Sequence, residues 1–119
     1  MTSPHQPLSP LTMSILVALA KGELHGYALM QEIEAQTDGA LRPGTGSLYA
    51  ALERLLDEGL VIESPRQPLA GEDARRKYFR VTAAGRTAAR AEAERMVRVL
   101  KEARASSLIR DLPRFGEAR

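Results

Sequence analysis

Apolar residues recur along this chain at first with a helical period, then in two short β-branched or aromatic runs, then with a helical period again. Leu11, Ile15, Leu16 and Leu19 fall at i, i+4, i+5 and i+8, one face of a helix. Ser9 offers that helix a hydroxyl N-cap, and Pro10 takes the first helical position, where a missing N–H costs nothing. Lys21-Gly22 ends it, a cation beside the C-terminus and then a glycine able to turn the chain. A second helix is predicted from His25 to Thr37, with Leu29, Met30 and Ile33 on its apolar face and Asp38-Gly39 closing it. Arg42-Pro43-Gly44-Thr45-Gly46 then opposes helix. A third helix is predicted from Thr45–Ser47 to Glu58, stopped by Gly59. Leu48, Leu52, Leu55 and Leu56 form its docking face, and Ser47, Tyr49, Ala50, Glu53, Arg54 and Asp57 its other face.

After Gly59 the period changes. Leu60-Val61-Ile62-Glu63 and Lys77-Tyr78-Phe79-Arg80-Val81-Thr82 read as two strands, able to pair as an antiparallel hairpin around the Pro- and Gly-containing loop 65–73. Thr82 caps a final helix of more than twenty residues, rich in the good helix formers Ala, Arg and Glu. Pro4 and Pro7 at one end, and Pro113 and Gly116 at the other, mark expected loose tails at 1–8 and 111–119.

The composition narrows the classes. At 119 residues, 44% hydrophobic and 27% charged, the chain suits one globular domain with a thin core that a partner subunit would help stabilise. It has no cysteine, which removes disulfides, zinc knuckles, iron–sulfur clusters and thiol nucleophiles. The opening residues lack a basic n-region, and Ile15–Ala20 is too short for a signal core or a membrane span. A cytoplasmic setting, no membrane and no cofactor are therefore expected. The net charge of +2 conceals an asymmetry. Residues 1–63 carry −5 and residues 64–119 carry +7, with Arg66, Arg75, Arg76, Lys77, Arg80 and Arg86 clustered in the hairpin region. Such a cluster is either an electrostatic footprint for a polyanion or an Arg-rich solvated surface.

Three helices, a hairpin with a basic tip and a long last helix make a mainly α (α+β) fold laid out as a winged helix-turn-helix. In that layout the third helix enters the major groove and the wing touches the backbone or the minor groove. The runs Leu24-His25-Gly26-Tyr27-Ala28-Leu29, Gly46-Ser47-Leu48-Tyr49-Ala50-Ala51-Leu52-Glu53-Arg54-Leu55 and Arg75-Arg76-Lys77-Tyr78-Phe79-Arg80-Val81-Thr82-Ala83-Ala84-Gly85 resemble the three signature segments of the PadR family of transcriptional regulators. Their order and spacing match too, over roughly residues 9–105. The resemblance is to the short subfamily with a single C-terminal helix. It implies a DNA-binding unit over 9–82, a dimerisation helix over 83–110, and a homodimeric repressor on a partly palindromic operator, in many members released by a small molecule.

Candidate contacts to double-stranded DNA follow. Gly44 lets the backbone approach closely, and Thr45 and Ser47 stand at the start of the third helix, whose N–H groups favour phosphate. Tyr27 and Tyr49 carry hydroxyls suited to phosphate, although Tyr49 also fits a core edge and Tyr27 a helix start. Arg54 either faces DNA or pairs with Asp57 or Glu58. Arg66, Arg75, Arg76 and Lys77 are the wing cations. His25 reads as a cap, since a lone histidine builds no metal site. Gly44-Thr45-Gly46 lacks the remaining glycine and lysine of a phosphate loop, and Ser47 has no G-x-S-x-G frame, so enzymatic activity is not expected. The alternative is a winged-helix module for protein contact without specific DNA binding, favoured by Glu53, Asp57 and Glu58 along the third helix.

Ala89, Ala93, Met96, Leu100 and Ala103 follow spacings of 4, 3, 4 and 3, an a/d-like seam flanked by Val97 and Val99. That seam is the expected dimer contact, and the family resemblance implies that Leu11 and Ile15 of the first helix share it. A helix folded back on its own domain is the competing expectation.

Overall fold

The computed structural model describes residues 6–65, 69–71, 73 and 75–109. In chain order the elements are α1 (Pro10–Ala20), β1 (Leu24–His25), α2 (Gly26–Gln36), α3 (Thr45–Asp57), β2 (Val61–Glu63), β3 (Tyr78–Val81) and α4 (Ala83–Ala105).

The helix ends are set locally, by side chains and turns. The Ser9 hydroxyl accepts the Thr12 N–H at 3.1 Å to start α1. His25 Nδ1 accepts the Ala28 N–H at 3.3 Å to start α2, so the histidine is a cap. The Thr82 hydroxyl accepts the Gly85 N–H at 2.9 Å to start α4. At the end of α3, Gly59 adopts φ +75°, the Gly59 N–H reaches the Leu56 carbonyl and the Leu60 N–H the Leu55 carbonyl. Those two bonds form a Schellman motif. Asp38, at φ +53°, and Gly39 close α2 in the same way.

Ile15, Leu16 and Leu19 of α1, Leu29 and Ile33 of α2, and Leu48, Leu52 and Leu55 of α3 meet Val61, Phe79 and Val81 of the sheet in one buried cluster. Each fully buried aliphatic side chain contributes about 1.5–3 kcal/mol relative to exposure. The sheet has three strands in the order β1-β3-β2, with β3 antiparallel to both neighbours. Val61 faces Val81, and Leu24 faces Phe79. Gly85 brings α4 onto this sheet, because a Cβ there would overlap the Leu60 carbonyl oxygen and stand 2.7 Å from Val81 Cγ2.

Four expectations need correcting. The hairpin is joined by β1, a third strand of two residues. Leu60 lies outside β2, because its N–H closes α3 and its carbonyl accepts the Thr82 N–H at 3.0 Å. Residues 6–8 are not loose. The Leu8 N–H donates to Glu92 at 3.0 Å, Arg95 donates to the Gln6 carbonyl at 3.2 Å, and Glu92 and Arg95 pair at 2.7 Å. Ile15 offers nothing to a partner, being fully buried in the domain's own core, and Leu11 is half-buried against that core.

Candidate nucleic-acid interface

One groove of about 590 Å³ gathers residues from three parts of the chain. The start of α2 supplies His25, Gly26 and Tyr27, α3 supplies Tyr49, and the wing supplies Asp73, Arg75, Arg76 and Lys77. The short strand β1 makes this possible, since pairing with β3 sets the start of α2 beside the wing. His25, which lines the groove, stands edge-on to the buried Tyr78 with ring centroids 5.3 Å apart.

The aromatic walls differ in their support. Tyr27 is 61% exposed, and Tyr49 is 39% exposed with its ring edge-on to Phe79 at 6.4 Å. Tyr49 is thus both an edge of the core and a surface group. Among the cations, Arg75 pairs with Asp73 at 3.3 Å, whereas Arg76 and Lys77 have no ion-pair partner among the described residues. The Arg75 backbone N–H, then its guanidinium, hold the Asp73 carboxyl below its ordinary range. Arg66 lies outside the described residues.

The start of α3 is a second exposed surface. Gly44 occupies the N-cap with no side-chain hydrogen bond, and Thr45, Gly46 and Ser47 are exposed. A Cβ at Gly44 or Gly46 would meet nothing within 4 Å, so the fold itself does not need glycine at either position. Arg54 sits in the last turn of α3, away from the groove, and neither Asp57 nor Glu58 pairs with it. Among the described residues no His, Cys, Asp and Glu group is placed to hold a metal ion. None of the described helices is long and apolar enough to cross a membrane.

A family model described as "Transcriptional regulator PadR-like family" matches residues 15–91. The chain belongs to that family. This PadR-like chain is 46% identical over 87 residues, 73% of its length, to an "uncharacterized 37.1 kDa protein in transposon TN4556" of Streptomyces fradiae, and it spans only 23% of that relative. A transcriptional regulator from Clostridium thermocellum superposes with TM-score 0.65 at 25% identity, over 83% of this chain and 89% of that one. A PadR family transcription regulator from Clostridium difficile shares the fold with TM-score 0.66 at 21% identity, over 84% and 99%. The chain has the mixed α+β winged-helix fold of PadR-like regulators.

The sequence pattern did not single out Gly26 or Asp73 as parts of the groove. A glycine at the first position of α2, where alanine is the better helix former, was the one available signal for Gly26.

The expected dimer residues divide. Ala89 packs on the domain's own core, while Ala93, Met96, Val97 and Leu100 line a hollow of about 320 Å³ with Met13 of α1. Ala103 lines a neighbouring hollow with Met96, Val99 and Leu100. Met96 is 53% exposed and Val99 67%.

Proposed function

We propose that the protein is a homodimeric repressor that acts in the cytoplasm on a partly palindromic operator in double-stranded DNA. Residues 9–82 form the reading unit and 83–110 the dimerisation helix. The observation that carries this reading is the convergence of Tyr27, Tyr49, Arg75, Arg76 and Lys77 on one groove beside the wing of a PadR-like chain. Lys and Arg there neutralise phosphate, a sequence-independent contribution to affinity. Ser47 and Tyr49, with Arg54 further along α3, supply base preference, while Gly44 and Thr45 admit a phosphate to the helix start. The cluster of Met96, Val97 and Leu100 supports a two-fold contact, which sets paired reading helices about 34–36 Å apart, one DNA turn. Release by a small-molecule effector is part of the proposal, as the family resemblance implies.

Footprinting on the DNA upstream of the protein's own coding sequence tests this reading. Protection of two symmetric half-sites one turn apart is expected. No protection on any duplex would replace it with the protein-contact reading, which the exposed Glu53 and Asp57 of α3 and Glu58 at its C-cap favour.

A further inference from the structure

Tyr49 is held by shape rather than by hydrogen bonds. Its hydroxyl has no hydrogen-bond partner among the described residues. One face of its surroundings is Phe79, almost fully buried in the core, whose ring lies at 67° to the tyrosine ring. The other is Gly26, where an added Cβ would overlap the Tyr49 hydroxyl and stand 2.8 Å from Cζ and 3.3 Å from Cε2. Gly26 is not in the left-handed region, and as the first residue of α2 it would accept alanine on backbone grounds. The backbone therefore does not require this glycine. The tyrosine does.

We propose that Gly26 is a positioning residue for DNA binding: its bare Cα lets the Tyr49 phenol lie across the start of α2 and wall the cationic groove. This rests on the groove being the DNA interface. An added methyl would meet the far end of a side chain, not backbone. The ring can rotate out toward solvent, so the fold tolerates the change while the groove loses its wall. Gly26 thus links the reading helix to the wing, since it holds Tyr49 in the groove that Arg75, Arg76 and Lys77 also line.

The test uses Gly26→Ala, Tyr49→Ala and the double variant of the full chain. Binding is read at low salt on a labelled duplex from upstream of its own coding sequence and on a scrambled duplex. Thermal melting and the aromatic NMR signals of Tyr49 are recorded in parallel. Gly26→Ala is expected to weaken binding to the upstream duplex about tenfold, the scale of one lost specific contact. Its melting temperature should stay within about 2 °C of wild type. The Tyr49 signals should shift as the ring leaves Phe79, and in the Tyr49→Ala background the same change should alter affinity by less than about twofold. Equal losses in both backgrounds, unchanged affinity, or unmoved Tyr49 signals would each overturn the proposal. Wild-type protein that binds neither duplex would overturn the DNA reading, and a role for Gly26 in binding with it. The Tyr49 signals then report separately whether Gly26 sets the place of the ring.

Discussion

Two surfaces of the winged core, the wing groove and the strip along α4, differ in kind. The groove between α2, α3 and the wing is walled by phenols and carries three cations against one carboxylate. The strip along α4 and α1 is apolar, formed by Met13, Ala93, Met96, Val97 and Leu100. The buried interior is a separate cluster of leucine, isoleucine, valine, alanine and phenylalanine side chains. Under the proposed function, a polyanion would satisfy the first surface by neutralising charge, and a second copy would satisfy the second by removing methionine, valine and leucine from water. The helix α4 itself shows the contrast. Gly85 and Ala88 near its start are buried on the domain, whereas Met96 and Val99 two to three turns on are more than half exposed.

Both surfaces are carried by one packed core. Leu52→Ala removes a side chain that is 1% exposed and should cost about 2–5 kcal/mol in urea unfolding. A loss below about 1 kcal/mol would mean that the interior is not packed as described. Met96→Glu with Leu100→Glu leaves that interior intact but should convert the protein to its 13.0 kDa monomer in sedimentation. Operator affinity should then fall about 100-fold, because two linked half-sites no longer bind together. A double variant that stays dimeric would move the contact elsewhere.

Smaller effects sharpen the boundary between the surfaces. Glu92→Gln weakens the bonds that tie residues 6–8 to α4 and should cost about 1 kcal/mol. The Leu8 N–H, then Arg95, hold the Glu92 carboxyl below its ordinary 4.5. Its contribution is present above that value and disappears as pH falls through the lower folded one. The variant should therefore unfold with a flatter acid limb in a pH series of melts, and an identical limb would contradict the pairing. Asp73→Asn should act in the opposite sense on the other surface. Freed from its carboxylate, Arg75 gains phosphate, so duplex affinity should rise a few-fold and the salt slope should steepen by up to about 0.9 in anisotropy titrations.

Signals confined to a few neighbouring residues were legible in the sequence. Ser9-Pro10, Gly59 and Thr82 set helix ends through bonds within one turn, and the leucine face of α3 follows from its period alone. What failed was long-range. Leu24 and His25 are too few to carry a period, and they become a strand only because β3 lies beside them. Ile15 belongs to an apolar stripe, and a stripe does not say whether it meets its own domain or another chain. Leu8 and Glu92 are joined across the length of the sequence. The groove's cations were visible as a cluster, but the neutralisation of Arg75 by Asp73 and the fit of Tyr49 over Gly26 emerge only from the folded arrangement.

Whether the wing groove grips phosphate is tested most directly by the salt dependence of duplex binding for wild type and for Arg76→Ala with Lys77→Ala. These are the two groove cations without an ion-pair partner among the described residues. Log affinity should fall linearly with log salt for both proteins, and the double variant should give a slope shallower by about 1.8, or about 0.9 for each lost phosphate contact. The loss should be alike on operator and scrambled duplex, since phosphate contacts carry no sequence. Parallel slopes for the two proteins, or wild-type binding indifferent to salt, would contradict the assignment of this groove to DNA.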